Sequence, residues 1–454
     1  MTEPEGVAAE ELAQDSAPAA PQAAPQGDAP EQADGPEPAP EPEPAPLLEL
    51  RDGLPDIVVS RDQLAEVAAA IGAGTGPVAI DAERASGYRY SARAYLIQLR
   101  REGAGTALVD PIAFDDLEPL VRALDGTEWI LHAASQDLPC LNELGLRPSA
   151  LFDTELAGRL LGYPRVGLAT LVEEILGRRL RKEHSAVDWS TRPLPRPWLE
   201  YAALDVEPLV ELREALHEQL DAAGKWEWAR QEFAHLIDMG PAEPRPEPWR
   251  RTSGLHRVRG RRALAAVRAL WLARDEIAAQ RDVTPGRIIP DSAIVEAATA
   301  LPRDRSTLLG MRGFHGRGAQ RYVGIWVDAL RSARELADSE LPQAAARYDG
   351  PPPPRAWMER DPVAAARLAQ SRAALQQLAQ ELTVPVENLV TPDYVRRVLW
   401  QPPGADPEAV AQALRELGAR PWQVELTAEI LATAINEHPE GVDGAEVSTA
   451  DEGG

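Results

Sequence analysis

Apolar positions between residues 50 and 235 follow two spacings in turn. Spacings of three and four residues predict helices at 61–71, 117–124 and 138–144. Short apolar runs predict strands at 76–80, 95–99, 106–109 and 129–132. Helical spacing dominates from about residue 138 onward. The pattern therefore predicts a mixed α/β domain in which most of the helices follow the sheet.

The chain beyond residue 250 shows helical spacing only. Two blocks, 255–337 and 360–436, match each other at an offset of 101 residues. The matching pairs are Ile277 with Leu378, Val283 with Val384, Ile288 with Leu389 and Ile289 with Val390. This internal repeat predicts a duplicated helical module.

Neither end of the chain has such a pattern. Residues 1–48 repeat Pro, Ala, Glu and Gln, and residues 437–454 are acidic with few large apolar side chains. Too little apolar surface is available there to offset the entropy of ordering, so we expect both ends to be disordered. Between them we expect a domain at 50–236, a linker at 237–252 and a helical module at 253–340. A Pro-rich linker at 341–358 and a second helical module at 359–436 should follow.

The net charge of −25 is distributed unevenly. Residues 1–50 hold 12 acidic residues and residues 437–454 hold 6, and neither segment contains Lys or Arg. Residues 250–335, in contrast, hold 17 Arg against 8 Asp and Glu, a net of +9. A basic module inside an acidic chain favours nucleic-acid binding, although an Arg-rich solvated surface would give the same composition.

Cysteine content and hydropathy indicate where the chain functions. Cys140 is the only cysteine, which excludes an internal disulfide and fits a reducing compartment. No apolar stretch reaches about 18 residues, and the N-terminus lacks a basic segment followed by an apolar one. We therefore expect a cytoplasmic protein without membrane association.

Two acidic residues stand at the end of a predicted buried strand. Asp81 and Glu83 are two residues apart, so their carboxylates point to the same face of that strand. Two surface acids at a strand end would explain the pair equally well. The alternative is a metal site, because close carboxylates repel each other unless a cation neutralises them.

Three further residues lie in comparable positions. Asp137 follows the strand at 129–132 and begins a helix, where capping is the ordinary role of an aspartate. Tyr201 and Asp205 are four residues apart in a helical segment and therefore share one face. A buried tyrosine beside a solvated aspartate would have the same spacing.

The four carboxylates together indicate a metal site more strongly than each of them does alone. Asp81, Glu83, Asp137 and Asp205 supply only oxygen ligands, which favour Mg²⁺ or Mn²⁺ over zinc. Two such ions roughly 3.5–4 Å apart activate an attacking water and stabilise the leaving oxygen in phosphodiester hydrolysis. The phenol of Tyr201 could orient that water.

The three acidic motifs occur in a fixed order, Asp81-Ala82-Glu83, then 132–137, then 201–205. With flanking matches at 87–90, 93–99, 152–154 and 184–194, residues 50–235 resemble the 3′–5′ exonuclease domain of the ribonuclease D family, the tyrosine variant of the DEDD superfamily. The resemblance implies a ribonuclease-H-like fold, two metal ions held by the four acids, and a water positioned by Tyr201. Which nearby side chains contact substrate stays open, the candidates being Arg89, Arg93, His132, Gln136, Lys182 and His184.

The first helical block contains the stretches 271–278, 285–291 and 309–314, which resemble the HRDC domain shared by RecQ-type helicases and ribonuclease D. The resemblance implies that 360–436 is a second, divergent HRDC-like copy. No Gly-x-x-x-x-Gly-Lys-Ser/Thr loop occurs, so no helicase motor is expected.

Arginines cluster at two places in this first block. Six stand at its entry, at Arg250, Arg251, Arg257, Arg259, Arg261 and Arg262. Arg312 and Arg317 flank a Gly-rich turn and are further candidates for substrate binding. Arginine neutralises phosphate with bidentate contacts, and glycine lets backbone N–H groups approach it.

These features predict a metal-dependent 3′–5′ exoribonuclease that releases nucleoside 5′-monophosphates from RNA 3′ ends. The family resemblance implies tRNA precursors or other structured RNA as substrate. Two alternatives stay open: a DNA exonuclease of repair, since sensing a ribose needs a contact to the 2′-hydroxyl that cannot be placed from sequence, and a non-catalytic nucleic-acid-binding scaffold. The sequence does not indicate protein partners.

Overall fold

The computed structural model describes residues 44–181, 186–240, 245–344 and 350–439. The two expected disordered ends lie almost wholly outside these ranges. Within them the predicted fold class is confirmed: a mixed sheet with flanking helices is followed by two helical modules.

A six-stranded sheet forms the centre of the first domain. Its strands are β1 (Ile57–Val58), β2 (Thr75–Arg84), β3 (Ala94–Glu102), β4 (Gly105–Val109), β5 (Glu128–Leu131) and β6 (Ala150–Asp153). Their spatial order is β1-β4-β3-β2-β5-β6. Strand β2 pairs antiparallel with β3 and parallel with β5, so it lies inside the sheet, and its residues Val78, Ala79 and Ile80 are fully buried.

Helices pack around this sheet and continue after it. In the described part of the first domain they are α1 (Arg61–Ala73), α2 (Glu118–Leu124), α3 (Leu138–Glu143), α4 (Thr154–Leu160), α5 (Leu168–Leu176), α6 (Arg196–Val206), α7 (Leu209–Ala222) and α8 (Trp226–Asp238). Ser60 caps the start of α1. Its hydroxyl accepts from the backbone N–H of Gln63, and the side-chain oxygen of Gln63 accepts from the backbone N–H of Ser60. This reciprocal capping explains why the helix starts there.

Strand β6 corrects the sequence-based expectation that only helices follow residue 138. Its four residues are too few to be separated from the helical spacing around them. The strand exists because it pairs in parallel with β5, with Trp129 opposite Leu151 and Leu131 opposite Asp153. Strand β1 was missed for the same reason, since it has two residues and pairs with β4.

The two helical modules contain only helices and short turns. The first has α9 (Arg261–Arg281), α10 (Asp291–Ala300), α11 (Arg305–Leu309), α12 (Arg317–Arg321) and α13 (Val323–Glu335). The second has α14 (Trp357–Arg360), α15 (Pro362–Leu382), α16 (Val386–Leu389), α17 (Pro392–Trp400), α18 (Pro407–Glu416) and α19 (Pro421–Glu437). Helices α9 and α15 each have 21 residues, begin 101 residues apart, and end at a left-handed residue, Asp282 and Thr383. The predicted duplication is supported by this correspondence.

The second module shares one apolar core with the first domain. Trp422 of α19 stacks on Trp228 of α8, with ring centroids 4.9 Å apart and an interplanar angle of 14°. Beside this stack, Arg420 Nε donates to Glu232 Oε1 at 2.6 Å, and Trp422 Nε1 donates to the same oxygen at 2.9 Å. The second module is thus joined to the first domain by apolar packing and by a buried ion pair.

The first module has its own core and contacts the first domain through the loop between β2 and β3. The Ser91 amide donates to Asp282 Oδ1 at 2.8 Å, and the Arg93 guanidinium lies 3.9 Å from Asp282 Oδ2. The Thr284 amide donates to the Tyr88 carbonyl at 3.1 Å. The loop that follows the acidic residues of β2 is therefore held by the end of α9.

Some of the entry arginines are used inside the first module. Arg261 donates to the carbonyls of Leu341 and Pro342, and Arg262 donates to the Leu336 carbonyl and to Asp338. These bonds join the start of α9 to the segment that follows α13. Their role is therefore structural, which weakens the expectation that this cluster as a whole binds substrate.

No helix within the described ranges combines the length and the apolar character that crossing a membrane requires.

The junction between the first domain and the second module generates a stability prediction. Gly162 has φ +82°, and a Cβ there would lie 2.6 Å from the Thr383 carbonyl oxygen. Gly162→Ala should lower the free energy of unfolding by about 2–4 kcal/mol, because left-handed strain and a backbone clash add together. Urea denaturation measures this loss.

Gly224→Ala is the matched control, because Gly224 has φ +68° and no atom within 4 Å of the added Cβ. Its free energy of unfolding should fall by only about 1–2 kcal/mol, because left-handed strain is the only cost there. Equal losses for the two variants would contradict the close approach of Gly162 to Thr383.

Candidate metal centre

The site begins on β2, where Asp81 and Glu83 occupy alternate positions and therefore point to one face of the sheet. Helix α6 packs across that face, against both β2 and β3. Asp205 and Tyr201 lie one helical turn apart on α6. Small residues of α6, Ala202 among them, are fully buried against the sheet, so the helix approaches the strands closely.

Carboxylate oxygens of Asp81, Glu83 and Asp205 lie within 4.8 Å of one another. The Tyr201 hydroxyl is hydrogen bonded to the Asp205 carboxylate. The structure therefore brings together these four residues, which the sequence predicted to converge. Of the two explanations for Asp81 and Glu83, the surface pair does not apply, because both are half-buried and cluster with Asp205 beneath α6.

Asp137 joins the cluster from the turn after β5. It precedes α3, but its side chain makes no capping hydrogen bond, so the capping explanation does not apply. Its carboxyl group instead lies beside that of Asp81, which after burial is the next cause of its raised pKa. The Arg84 guanidinium lies 3.4 Å from Asp137 Oδ1 and supplies positive charge.

The turn that carries Asp137 is held by Asp153 at the end of β6. Asp153 Oδ1 accepts from the Ala133 amide at 3.1 Å, and Oδ2 accepts from the Ala134 amide at 2.8 Å. Asp153 Oδ1 also caps α4 by accepting from the amides of Glu155 and Leu156. Ala133 has φ +59°, a conformation that needs such support in a residue other than glycine. Asp153 thus fixes the backbone that presents Asp137.

Burial raises the pKa of every carboxyl group in the cluster. It raises the pKa of Glu83 to about 10, with further contributions from the charges of Asp81, Asp205 and Asp137. It raises the pKa of Asp137 to about 8, with Asp81 as the next cause. The pKa values of Asp81 and Asp205 are also raised, burial being the largest cause for both. Full ionisation at neutral pH therefore requires added positive charge.

The donor set fits divalent cations. The possible ligand atoms of the cluster are side-chain oxygens, which suit Mg²⁺ or Mn²⁺. Arg84 contacts Asp137 and supplies a single positive charge, which cannot neutralise all four acids. Asp81, Glu83 and Asp205 lie close enough together for one oxygen of each to reach a common divalent cation. Burial raises the pKa of Tyr201 as well, so its hydroxyl stays protonated beside these acids.

The predicted substrate contacts are placed in different surroundings. Arg89 Nε donates to Ser190 Oγ at 2.7 Å, and Arg93 stacks over the Tyr95 ring at 5.1 Å. His132 Nδ1 lies 2.9 Å from Thr154 Oγ1, and burial lowers its pKa to about 4, so it is neutral at pH 7. Three more residues are exposed, at Gln136, Arg312 and Arg317. Lys182 and His184 lie outside the described residues.

Two residues of the site had no assigned role in the sequence-based prediction. Arg84 directly follows Glu83, and a basic residue beside an acidic motif was the available signal. Asp153 lies in one of the flanking matches, but only the fold shows that it supports the turn of Asp137.

Comparison with known families agrees with this architecture. A family described as 3′-5′ exonuclease matches residues 55–221, and one described as HRDC domain matches residues 263–330. A third, described as 3′ to 5′ exonuclease C-terminal domain, matches residues 350–435. That the second module is a divergent HRDC-like copy stays a prediction.

Individual relatives extend over most of the chain. The chain is 34% identical to ribonuclease D of Gluconacetobacter diazotrophicus over 285 residues, which are 61% of this chain and 71% of the relative. A crystal structure of a protein from Bifidobacterium adolescentis is 39% identical, with a TM-score of 0.80, and covers 87% of this chain and 100% of its own. Escherichia coli RNase D, described as an exoribonuclease involved in structured RNA processing, is 25% identical, with a TM-score of 0.63 and coverage of 85% and 99%.

The support of Asp137 by Asp153 can be tested by removing one acceptor. Asp153→Asn places an NH₂ group against a backbone N–H, so we expect a loss of about 1–3 kcal/mol of stability. Because the turn then loosens, Mn²⁺ should bind more weakly. Urea denaturation and calorimetric titration measure the two effects.

Asp304→Asn is the matched control, because Asp304 also accepts from a helix-start amide, that of Thr307, but on an exposed helix of the first module. It should change stability by less than about 0.5 kcal/mol, since asparagine caps helices as well as aspartate does. Unchanged Mn²⁺ affinity in Asp153→Asn would show that the turn does not depend on this carboxylate.

Proposed function

This chain belongs to the ribonuclease D family and is a 3′–5′ exonuclease, and we propose that it trims RNA from the 3′ end by a two-metal mechanism. The observation that carries the proposal is the convergence of Asp81, Glu83 and Asp205, joined by Asp137, on the buried face between β2 and α6. The products would be nucleoside 5′-monophosphates and an RNA shortened by one nucleotide at a time.

The residues have separate tasks in this proposal. The four acids would hold the two cations, which polarise the attacking water and stabilise the leaving 3′-oxygen when they are bound. Tyr201 keeps its proton, because burial and the neighbouring acids raise its pKa. Its hydroxyl, which interacts with Asp205, would orient the attacking water.

Substrate binding is divided between two parts of the chain. We assign the chemistry to the domain at 50–236 and retention of the RNA backbone to the basic module at 253–340. Arg89, Arg93, His132 and Gln136 are the candidates near the catalytic acids, and Arg312 and Arg317 are the candidates on the module. Lys182 and His184 complete the set. His132 is neutral at pH 7, so it would act through hydrogen bonds and not as a cation.

The proposed substrate is structured RNA, such as tRNA precursors. The relationship to Escherichia coli RNase D supports this choice, since that enzyme is described as taking part in structured RNA processing. The exposed arginines of the first module suit a folded polyanion, because they can neutralise phosphates without reading sequence.

An assay with labelled oligonucleotides tests the activity. With Mn²⁺, a 5′-labelled RNA should shorten in single-nucleotide steps, and a 3′-labelled RNA should release its label as a mononucleotide. Asp81→Asn should reduce turnover by about 10³-fold or more, because one charged ligand of the cations is lost. Asp116→Asn, an exposed acid paired with Arg61, is the control and should retain full activity.

Parallel digestion of RNA and DNA of the same sequence separates the alternatives. Preference for DNA would overturn the substrate assignment, and retained turnover in Asp81→Asn would overturn the metal site. Failure of the wild type to bind Mn²⁺ would favour a non-catalytic scaffold.

The role of Tyr201 is tested by Tyr201→Phe. We expect turnover to fall by about 10²-fold or more while Mn²⁺ affinity stays unchanged, because the hydroxyl acts on water and the acids remain. Tyr163→Phe is the matched control, since the Tyr163 hydroxyl, in the loop after α4, donates to Gln219 of α7 at 2.8 Å. A Tyr201→Phe variant with wild-type turnover would show that the hydroxyl has no part in the reaction.

A further inference from the structure

Gln98 lies on β3 directly opposite Asp81 of β2. Directly opposite residues of an antiparallel pair carry their side chains on the same face, with Cβ atoms about 4.5–5.5 Å apart. The Gln98 side chain therefore lies on the face that carries Asp81 and Glu83, beneath α6. It is fully buried.

Two leucines flank Gln98 on this face, and Arg100, two residues after it on β3, is already ion-paired with Glu207. Leu96 lies two residues before it on the same face of β3, and Leu108 lies opposite it on β4. Both leucines are fully buried. A methionine or leucine would therefore fill this place with a more suitable side chain.

Neither the Nε2 nor the Oε1 atom of Gln98 has a hydrogen-bond partner among the described residues. A buried amide with both ends unpaired is rare in folded proteins and destabilises them. The amide thus has no partner among the described residues, although Asp81 stands beside it.

We propose that Gln98 is a positioning residue for Asp81, and that its Nε2 donates to the Asp81 carboxylate when this carboxylate holds a divalent cation. The inference rests on the proposed function, since it takes Asp81 as a metal ligand. A hydrogen bond from outside the ligand set fixes the orientation of the ligating carboxylate. Gln98 completes the site from the opposite strand.

This assignment gives the amide opposite effects in the two states of the protein. Without cations the unpaired amide destabilises the fold, so its removal should leave the thermal midpoint equal or higher. With cations the amide orients Asp81, so its removal should weaken binding. A residue that only fills the core would show the reverse, a lower midpoint with unchanged cation affinity.

The experiment uses the full chain, stripped of metal with a chelator, and two variants that remove the amide, Gln98→Met and Gln98→Leu. Calorimetric titration with Mn²⁺ should show affinity reduced by about 10–100-fold in both. Thermal unfolding of the metal-free proteins should show midpoints no lower than that of the wild type. A lower metal-free midpoint in both variants overturns the proposal, because the amide would then already be paired.

Ser371→Ala is the matched control, since Ser371 is also fully buried with an unpaired hydroxyl, but lies on α15 in the second module. It should keep the wild-type Mn²⁺ affinity. Reduced affinity in this variant would show that any change of a buried polar group affects the site, which overturns the specific role of Gln98.

The wild type separates this inference from the proposed function. If the wild type binds no Mn²⁺, the metal-dependent activity itself fails. If the wild type binds Mn²⁺ and the two Gln98 variants bind it equally well, only the inference about Gln98 fails.

Discussion

Repulsion among four carboxyl groups, one buried and three half-buried, is the constraint on which the rest of the structure depends. Asp81, Glu83, Asp137 and Asp205 are held where burial raises the pKa of each, so the site is stable only with protons, with the partial help of Arg84, or with cations. The surrounding sheet and helices hold the acids together against that repulsion. Divalent cations would relieve this repulsion, because metal binding couples to deprotonation of the ligands.

The two helical modules contact the first domain in different ways. The second helical module shares its apolar core with the first domain and adds the buried pair of Arg420 and Glu232. The first module instead keeps a separate core and contacts the loop after β2 through Asp282. One module therefore extends the catalytic domain, whereas the other brings a basic surface to the loop that leads away from the acids.

Prediction from sequence succeeded where residues interact with close neighbours along the chain. The pair Asp81 and Glu83 and the pair Tyr201 and Asp205 were assigned to common faces, because strand and helix spacing decide this locally. It did not succeed for β6, which is four residues long and is defined by its pairing with β5. Nor did it assign a role to Asp153, whose bonds to the turn at Ala133 span about twenty residues.

The sequence by itself determined the order of elements, the acidic motifs and the basic module, since periodicity and composition are properties of neighbouring residues. Only the tertiary structure decided that Asp137 lies beside Asp81 instead of capping a helix, that Arg262 holds its own module together, and that Gln98 is buried unpaired beside a carboxyl group. These outcomes depend on which distant segments pack together. That packing sets burial and hydrogen-bond partners, which no local pattern contains.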